Sequence, residues 1–188
     1  MRNKYSHIQT QYLFDEENKA YLIEVSLDDY DDVYDEWDPA PFKRRFIQKE
    51  FDEFIVDSAD DIPLEYNIIV VLYLPEDKKD PNKEIAVEAA YRNYYSYELD
   101  KIDKGRAKLK KKNISYLLMA FSFLTIGYFF QFGKESIVLD VIKEGIFIGG
   151  WVFLWEFFTI TFITRRELYG QHKAYKRIFD SPIKFIYK

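Results

Sequence analysis

Two apolar stretches in the second half of the chain constrain its fold more than any other feature. Residues 114–132, "ISYLLMAFSFLTIGYFFQF", carry no charge, and residues 145–164, "GIFIGGWVFLWEFFTITFIT", carry one, Glu156. Each is long enough to cross a hydrocarbon core about 30 Å thick. The alternative is a pair of buried helices in a soluble protein. Unbroken apolar runs of this length, aromatic on several faces, argue against it. Two transmembrane helices in a hairpin are therefore expected.

The flanks orient the hairpin. Lys104, Arg106, Lys108, Lys110, Lys111 and Lys112 precede the first run, and Arg165, Arg166, Lys173, Lys176 and Arg177 follow the second. The connection, residues 133–144, sets two lysines against Glu135, Asp140 and Glu144. Positive charge at both outer ends and not at the tip places both flanking segments in the cytoplasm. Residues 136–144 are expected to extend the second helix outward.

A carboxylate inside the second span needs a reason. At 3.6 residues per turn, Gly145, Gly149, Val152, Glu156, Thr159 and Ile163 share a face. That stripe contains Gly-x-x-x-Gly, the small-residue spacing that lets helices approach closely in lipid. An ionised, unpaired carboxylate at this depth costs several kcal/mol, so Glu156 is expected to face protein and to act as a neutral hydrogen-bond donor. Matching depths along two antiparallel helices makes Ser122 its nearest hydroxyl, with Thr125 a turn further out. Glu156 then serves as glue between helices, as a ring lining a pore, or as a proton- or ligand-sensing site.

The remainder reads as α+β, with a small acidic cytoplasmic unit over 1–104, a basic juxtamembrane segment over 105–113 and a cytoplasmic helix and strand over 165–188. Residues 1–100 hold 25 acidic against 11 basic side chains, a net of −14 that disfavours nucleic-acid binding there. "YLIEVSL" (21–27) and "YNIIVVLYL" (66–74) predict strands. An earlier strand around 8–14 is expected to form a hairpin with the first through "DEENKA". "FKRRFIQKEFDEFIVDSA" spaces Phe46, Ile47, Phe51, Phe54 and Ile55 as a helix would, with Pro39 or Pro41 as its start signal. Asp80 and Pro81 predict the N-cap and first position of another helix, running toward the lysines with Gly105 as a possible break. After Pro182, Ile183, Phe185 and Tyr187 alternate with Lys184 and Ile186. The pattern predicts a strand at the edge of the N-terminal sheet, with the hairpin inserted within one cytoplasmic fold.

Chemistry is sparse. The acidic run places Asp28, Asp29, Asp31, Asp32, Asp35 and Asp38 within one loop, beside Tyr30, Tyr34 and Trp37. It has the oxygens calcium wants but neither the glycine nor the terminal glutamate of an EF-hand. A solvated loop is the plain expectation, with a protein-partner surface or a weak cation loop beside it. The chain has no cysteine, and its two histidines, His7 and His172, lie far apart. No nucleophile elbow, phosphate-binding loop or zinc-protease motif is present, so no catalytic residue, metal or cofactor is expected. The N-terminal residues lack the apolar core of a cleaved signal.

"LDVIKEGIFIGGWVFLWEFF" followed by "RREL", residues 139–168, resembles a pattern of uncharacterised bacterial two-span membrane proteins. The basic-flanked hairpin with its small cytoplasmic unit is also similar in architecture to the two-span effector domains of bacterial conflict systems. The resulting expectation is a non-enzymatic bacterial inner-membrane protein. Its partners would be the bilayer, further copies of itself and possible proteins at the acidic unit. The alternatives are an oligomeric pore gated by that unit, and a membrane-tethered enzyme or sensor.

Overall fold

A computed structural model describes residues 8–35, 37–38, 46–129 and 137–188. It is a mixed helix and sheet structure, consistent with the α+β expectation. Its contacts divide into two compact units, one within Met1–Asp100 and His172–Lys188, the other Lys101–Gln171.

The first unit is built on a four-stranded sheet of order β1 (Phe14–Asp15), β2 (Ala20–Ser26), β3 (Asn67–Leu74) and β4 (Ile183–Tyr187). β1 and β2 form the expected hairpin, but β1 is only two residues long, because Ile8–Gln11 forms a short helix, α1, and not a strand. The Asp15 carboxylate shapes the turn by accepting the backbone N–H groups of Glu17 and Asn18, both at 3.0 Å. Lys19 completes it at φ 49°, in the left-handed region.

β2, β3 and β4 are parallel, with Ile23 opposite Val70, and Leu72 opposite Phe185. Parallel neighbours need crossovers, and here these are helical. α2 (Lys49–Asp61) joins β2 to β3, and α3 (Pro81–Phe129), α4 (Ile137–Thr159) and α5 (Arg165–Asp180) lie between β3 and β4 in the chain. Alternation in the strands sends Tyr21, Ile23, Ile68, Val70, Leu72 and Leu74 to one face. There they pack with Phe51, Ile55 and Ala59 of α2, Val87, Ala90, Tyr91 and Tyr95 of α3, and Ile178 of α5. Ile183, Phe185 and Tyr187 join the same core, while Lys184 and Ile186 point away. On the opposite face Ala20, Ile69 and Val71 are buried beside Leu22 and Tyr73.

Two polar fastenings hold this layer. Arg177 of α5 donates to the carbonyls of Ile62, Pro63 and Tyr66 at 2.9–3.4 Å, and also to Ala59, so that it caps the C-terminus of α2. The cation there complements the negative end of the helix dipole. The buried Tyr91 hydroxyl lies 3.3 Å from both the Ile178 carbonyl and Ser181 Oγ, which ties α3 to the turn entering β4.

α3 starts as its sequence predicts. Asp80 Oδ1 accepts the N–H groups of Asn82 (2.9 Å) and Lys83 (3.4 Å), and Pro81 occupies the first helical position. Gly105 does not break this helix. A lone glycine costs about 1 kcal/mol, and the helix-forming Lys, Arg, Ala and Leu residues around it outweigh that. α2 starts later than predicted, at Lys49, because Ile47 bridges to Tyr34 and Gln48 N–H donates to the Val33 carbonyl, which keeps that segment extended. The proline start signals, Pro39 and Pro41, lie outside the described residues.

In the second unit, α4 begins at Ile137, so the helix includes residues ahead of the second apolar stretch, as expected. One wide π-turn, Ile160–Thr164, joins α4 to α5, where the Arg165 N–H reaches back to the Ile160 carbonyl. The continuous helical run Ile137–Asp180 is the one helix among the described residues long and apolar enough to cross a membrane, and only 11% of its most apolar window is buried. The predicted first span, 114–132, falls in α3, whose described part ends at Phe129.

Candidate functional site

Within the second unit the apolar parts of α3 and α4 meet antiparallel through small residues and aromatic rings. A Cβ added at Gly150 would come within 2.8 Å of Leu124 Cγ and 3.2 Å of its backbone nitrogen. At Gly127 it would meet the Phe147 ring at 3.2 Å, and at Gly149 the Phe123 ring at 3.1 Å. Ala120 is fully buried. Phe153 stacks at a tilt on Tyr116 (6.0 Å between centroids) and edge-on to Phe123 (5.3 Å). Further along, Asn113 Nδ2 donates to Thr161 Oγ1 at 2.9 Å.

This register changes the roles of the predicted intramembrane residues. Gly145 has nothing within 4 Å of a would-be Cβ, so of the Gly145/Gly149 pair only Gly149 meets α3, and the tightest approach is at Gly150. Ser122 and Thr125 lie on the exposed side of α3, and the Ser122 hydroxyl donates to the Leu118 carbonyl of its own helix (2.9 Å). Thr159 does the same to Trp155 (3.1 Å). Glu156 is half-buried, and the Glu156–Ser122 hydrogen bond is not formed within the chain. Hydroxyls in helices often bond back to the preceding turn, which leaves them nothing to donate elsewhere. Asn113 and Thr161, the polar pair that does cross between the helices, escaped the sequence reading because both sit at the ends of the apolar runs.

The acidic loop lies at the carboxyl ends of the parallel strands. It is a folded turn, and several of its carboxylates are spent on backbone groups. Asp32 accepts the N–H groups of Asp28 (2.8 Å) and Asp29 (2.9 Å), Asp35 that of Trp37 (2.9 Å), and Asp38 that of Phe46 (2.8 Å). Asp29 pairs with Lys78 (2.8 Å) and Lys83 (3.4 Å). The Lys78 ammonium holds the Asp29 carboxyl down at about 2. Asp31 lies within the loop's 3₁₀ turn, Tyr30–Val33. Among the described residues no three acidic or histidine side chains are grouped to hold a metal ion.

Beside the loop, Tyr30 and Tyr187 share a hydrogen bond of 2.7 Å, and Tyr187 also bonds Glu84 on the first turn of α3. Burial, reinforced by Glu84, raises the Tyr187 hydroxyl above its ordinary value. These groups satisfy one another. The strand order β2-β3-β4 follows the chain with the helices on one face, so the reversal that opens a ligand crevice in many α/β sheets is missing from these strands.

A titratable cluster not anticipated from sequence lies between α2, α3 and α5. Asp52 faces Tyr94, Tyr95 and Tyr175, with Glu98 nearby. Burial raises the Asp52 carboxyl. The hydroxyls of Tyr95 and Tyr94 stand close enough to oppose that rise, yet Asp52 Oδ1 and the Tyr95 hydroxyl each lack a partner in hydrogen-bonding geometry. Tyr94, Tyr95 and Glu98 lie close together on α3, but Asp52 and Tyr175 come from α2 and α5, so no local signal announced the cluster. No family model, no curated protein and no solved structure matches the chain.

Proposed function

We propose that the chain is an integral protein of a bacterial inner membrane, crossing it twice through the apolar parts of α3 and α4. The sheet unit then lies in the cytoplasm and acts as a non-enzymatic interaction module. The observation that carries this reading is the inverted distribution of side chains in the second unit. Glycine and alanine pack inward at Gly127, Gly150 and Ala120, while Leu118, Phe121, Trp151 and Trp155 point outward, Trp155 with 73% of its surface exposed. Apolar surface of that extent is stable in lipid and invites aggregation in water. The basic residues at both outer ends of the hairpin support cytoplasmic flanks.

Thr125, on the exposed side of α3, and half-buried Glu156 add a reason for self-association, since polar groups in hydrocarbon are best satisfied against another copy. The same residues favour, as a second reading, an oligomeric pore. Conductance across liposomes that Glu156→Gln abolishes would select the pore, and silent liposomes would select the scaffold.

Membrane insertion and orientation are tested by cysteine accessibility in a chain with no native cysteine. Single cysteines replace exposed residues, Ile137 in the segment between the two spans and Glu65 and Lys188 in the sheet unit. An impermeant thiol reagent should label only position 137 in intact cells and all three after lysis. Labelling of 65 or 188 in intact cells would overturn the orientation, and release of the protein by alkaline carbonate would overturn insertion.

A further inference from the structure

At the basic end of the helix pair, inside the second unit, lies a cavity of about 360 Å³. Arg106, Lys110 and Asn113 of α3 line it, together with Ile160, Arg165 and Leu168 of the helical run through the π-turn. The wide turn's backbone bond from Arg165 N–H to the Ile160 carbonyl keeps these two lining residues, one cationic and one apolar, on adjacent turns. Asp103 also lines the cavity and pairs with Arg106 at 3.0 Å, which leaves Lys110 and Arg165 as its surplus positive charge. Asn113 closes the inner end by its bond to Thr161, and its buried Oδ1 has no partner.

Depth identifies what such a cavity meets. Lys110 lies four residues before the apolar run that opens at Ile114, which is about 6 Å along a helix. Arg165 directly follows the second run. The headgroup layer on each side of the hydrocarbon is about 5–7 Å thick. Both surplus cations therefore fall at the level of lipid phosphates, beside an apolar wall.

We propose that this cavity binds the phosphate of an anionic glycerophospholipid headgroup, held between Lys110 and Arg165. The proposal rests on the membrane-spanning reading above. Each cation lining the cavity is taken to contribute what a cation does at an anionic lipid surface, so its removal should weaken binding about fivefold, whereas in neutral detergent a cation outside the cavity meets no charged surface.

The test uses full-length protein in neutral detergent, titrated with phosphatidylglycerol or phosphatidylcholine and read by native mass spectrometry. Wild type should retain phosphatidylglycerol preferentially. Lys110→Gln and Arg165→Gln should each reduce that retention about fivefold, whereas Lys108→Gln, an equal charge loss from an exposed position outside the cavity, should not. Equal retention of the two lipids, or an equal loss in Lys108→Gln, overturns the site. Competition by soluble glycerol phosphate at matched concentration overturns the lipid as its source. Reconstitution into phosphatidylcholine vesicles that resist carbonate separates the two readings. Stable insertion without lipid preference removes only the cavity proposal, and failure to insert removes both.

Discussion

Gly150→Ala should open the α3–α4 pair, and the size of the effect follows from one contact. The new methyl would stand 2.8 Å from Leu124 Cγ and Cδ2, where carbon atoms rest best at about 3.5–4.0 Å. Leu124 cannot swing clear by turning its terminal methyls, because Cγ is the branch point. Its backbone nitrogen, 3.2 Å away, does not move with any rotamer. The helices must separate by about 0.7 Å or strain, an overpacking cost of about 1–3 kcal/mol. Alanine's better helix propensity offsets up to about 1 kcal/mol of that. Gly145→Ala isolates the propensity contribution, since nothing lies within 4 Å of its added carbon. The assay places a cysteine at Ala120, which is fully buried, and follows its modification by a permeable thiol reagent in detergent. Modification needs opening, so Gly150→Ala should accelerate it about 5- to 150-fold before the propensity offset. Gly149→Ala should do less, because the Phe123 ring can tilt. A Gly150→Ala rate no faster than that of Gly145→Ala would refute this helix register.

Arg177→Met should destabilise the sheet unit by about 3 kcal/mol in denaturant titrations, because the carbonyls closing α2 lose a charged donor. Arg177→Lys should recover little, as an ammonium cannot reach the same carbonyls as a fork. Asp52→Asn should raise the melting temperature at neutral pH. Burial lifts the folded carboxyl above its unfolded value of 3.8, so the native state keeps a proton that the unfolded chain releases, and wild-type stability falls as pH rises past that value. The gain should therefore vanish below about pH 4, and a gain that persists there would refute the assignment. Deleting residues 182–188 removes β4 and with it the Tyr187 bonds to Tyr30 and Glu84. The truncated protein should be cut faster by protease, and unchanged resistance would mean that β4 adds nothing to the sheet.

Local signals in the chain were good guides where local chemistry decides. Asp80 and Pro81 announce the start of α3, and Ile183, Phe185 and Tyr187 announce which face of β4 turns inward. Predictions went astray where tertiary partners decide. Phe46 and Ile47 have helical spacing with Phe51, but the bridge to Tyr34 holds that segment extended. Residues 145–164 offer two glycine faces, and the sequence alone favours the regular Gly145/Gly149 spacing. Only the position of Leu124 identifies Gly150 as the point of approach. Hydrogen-bond partners were least legible, since depth matching puts Ser122 level with Glu156 but carries no information about rotation around the helix axis. The Asp52 cluster gathers side chains from three helices, a proximity that no single stretch records.

β3 and β4 are neighbours in the sheet, yet Val70 pairs with Ile183, and all of α3, α4 and α5 must be synthesised between them. During translation the ribosome releases β2, α2 and β3 long before β4 exists. The nascent sheet therefore waits with one side of β3 unpaired and part of its core uncovered, a state prone to capture by chaperones and proteases. A chain that stalls within α3 or α4 never completes the layer. Closure of the sheet thus reports that the helices between its two strands have been made, and the fold carries its own check on the integrity of its synthesis.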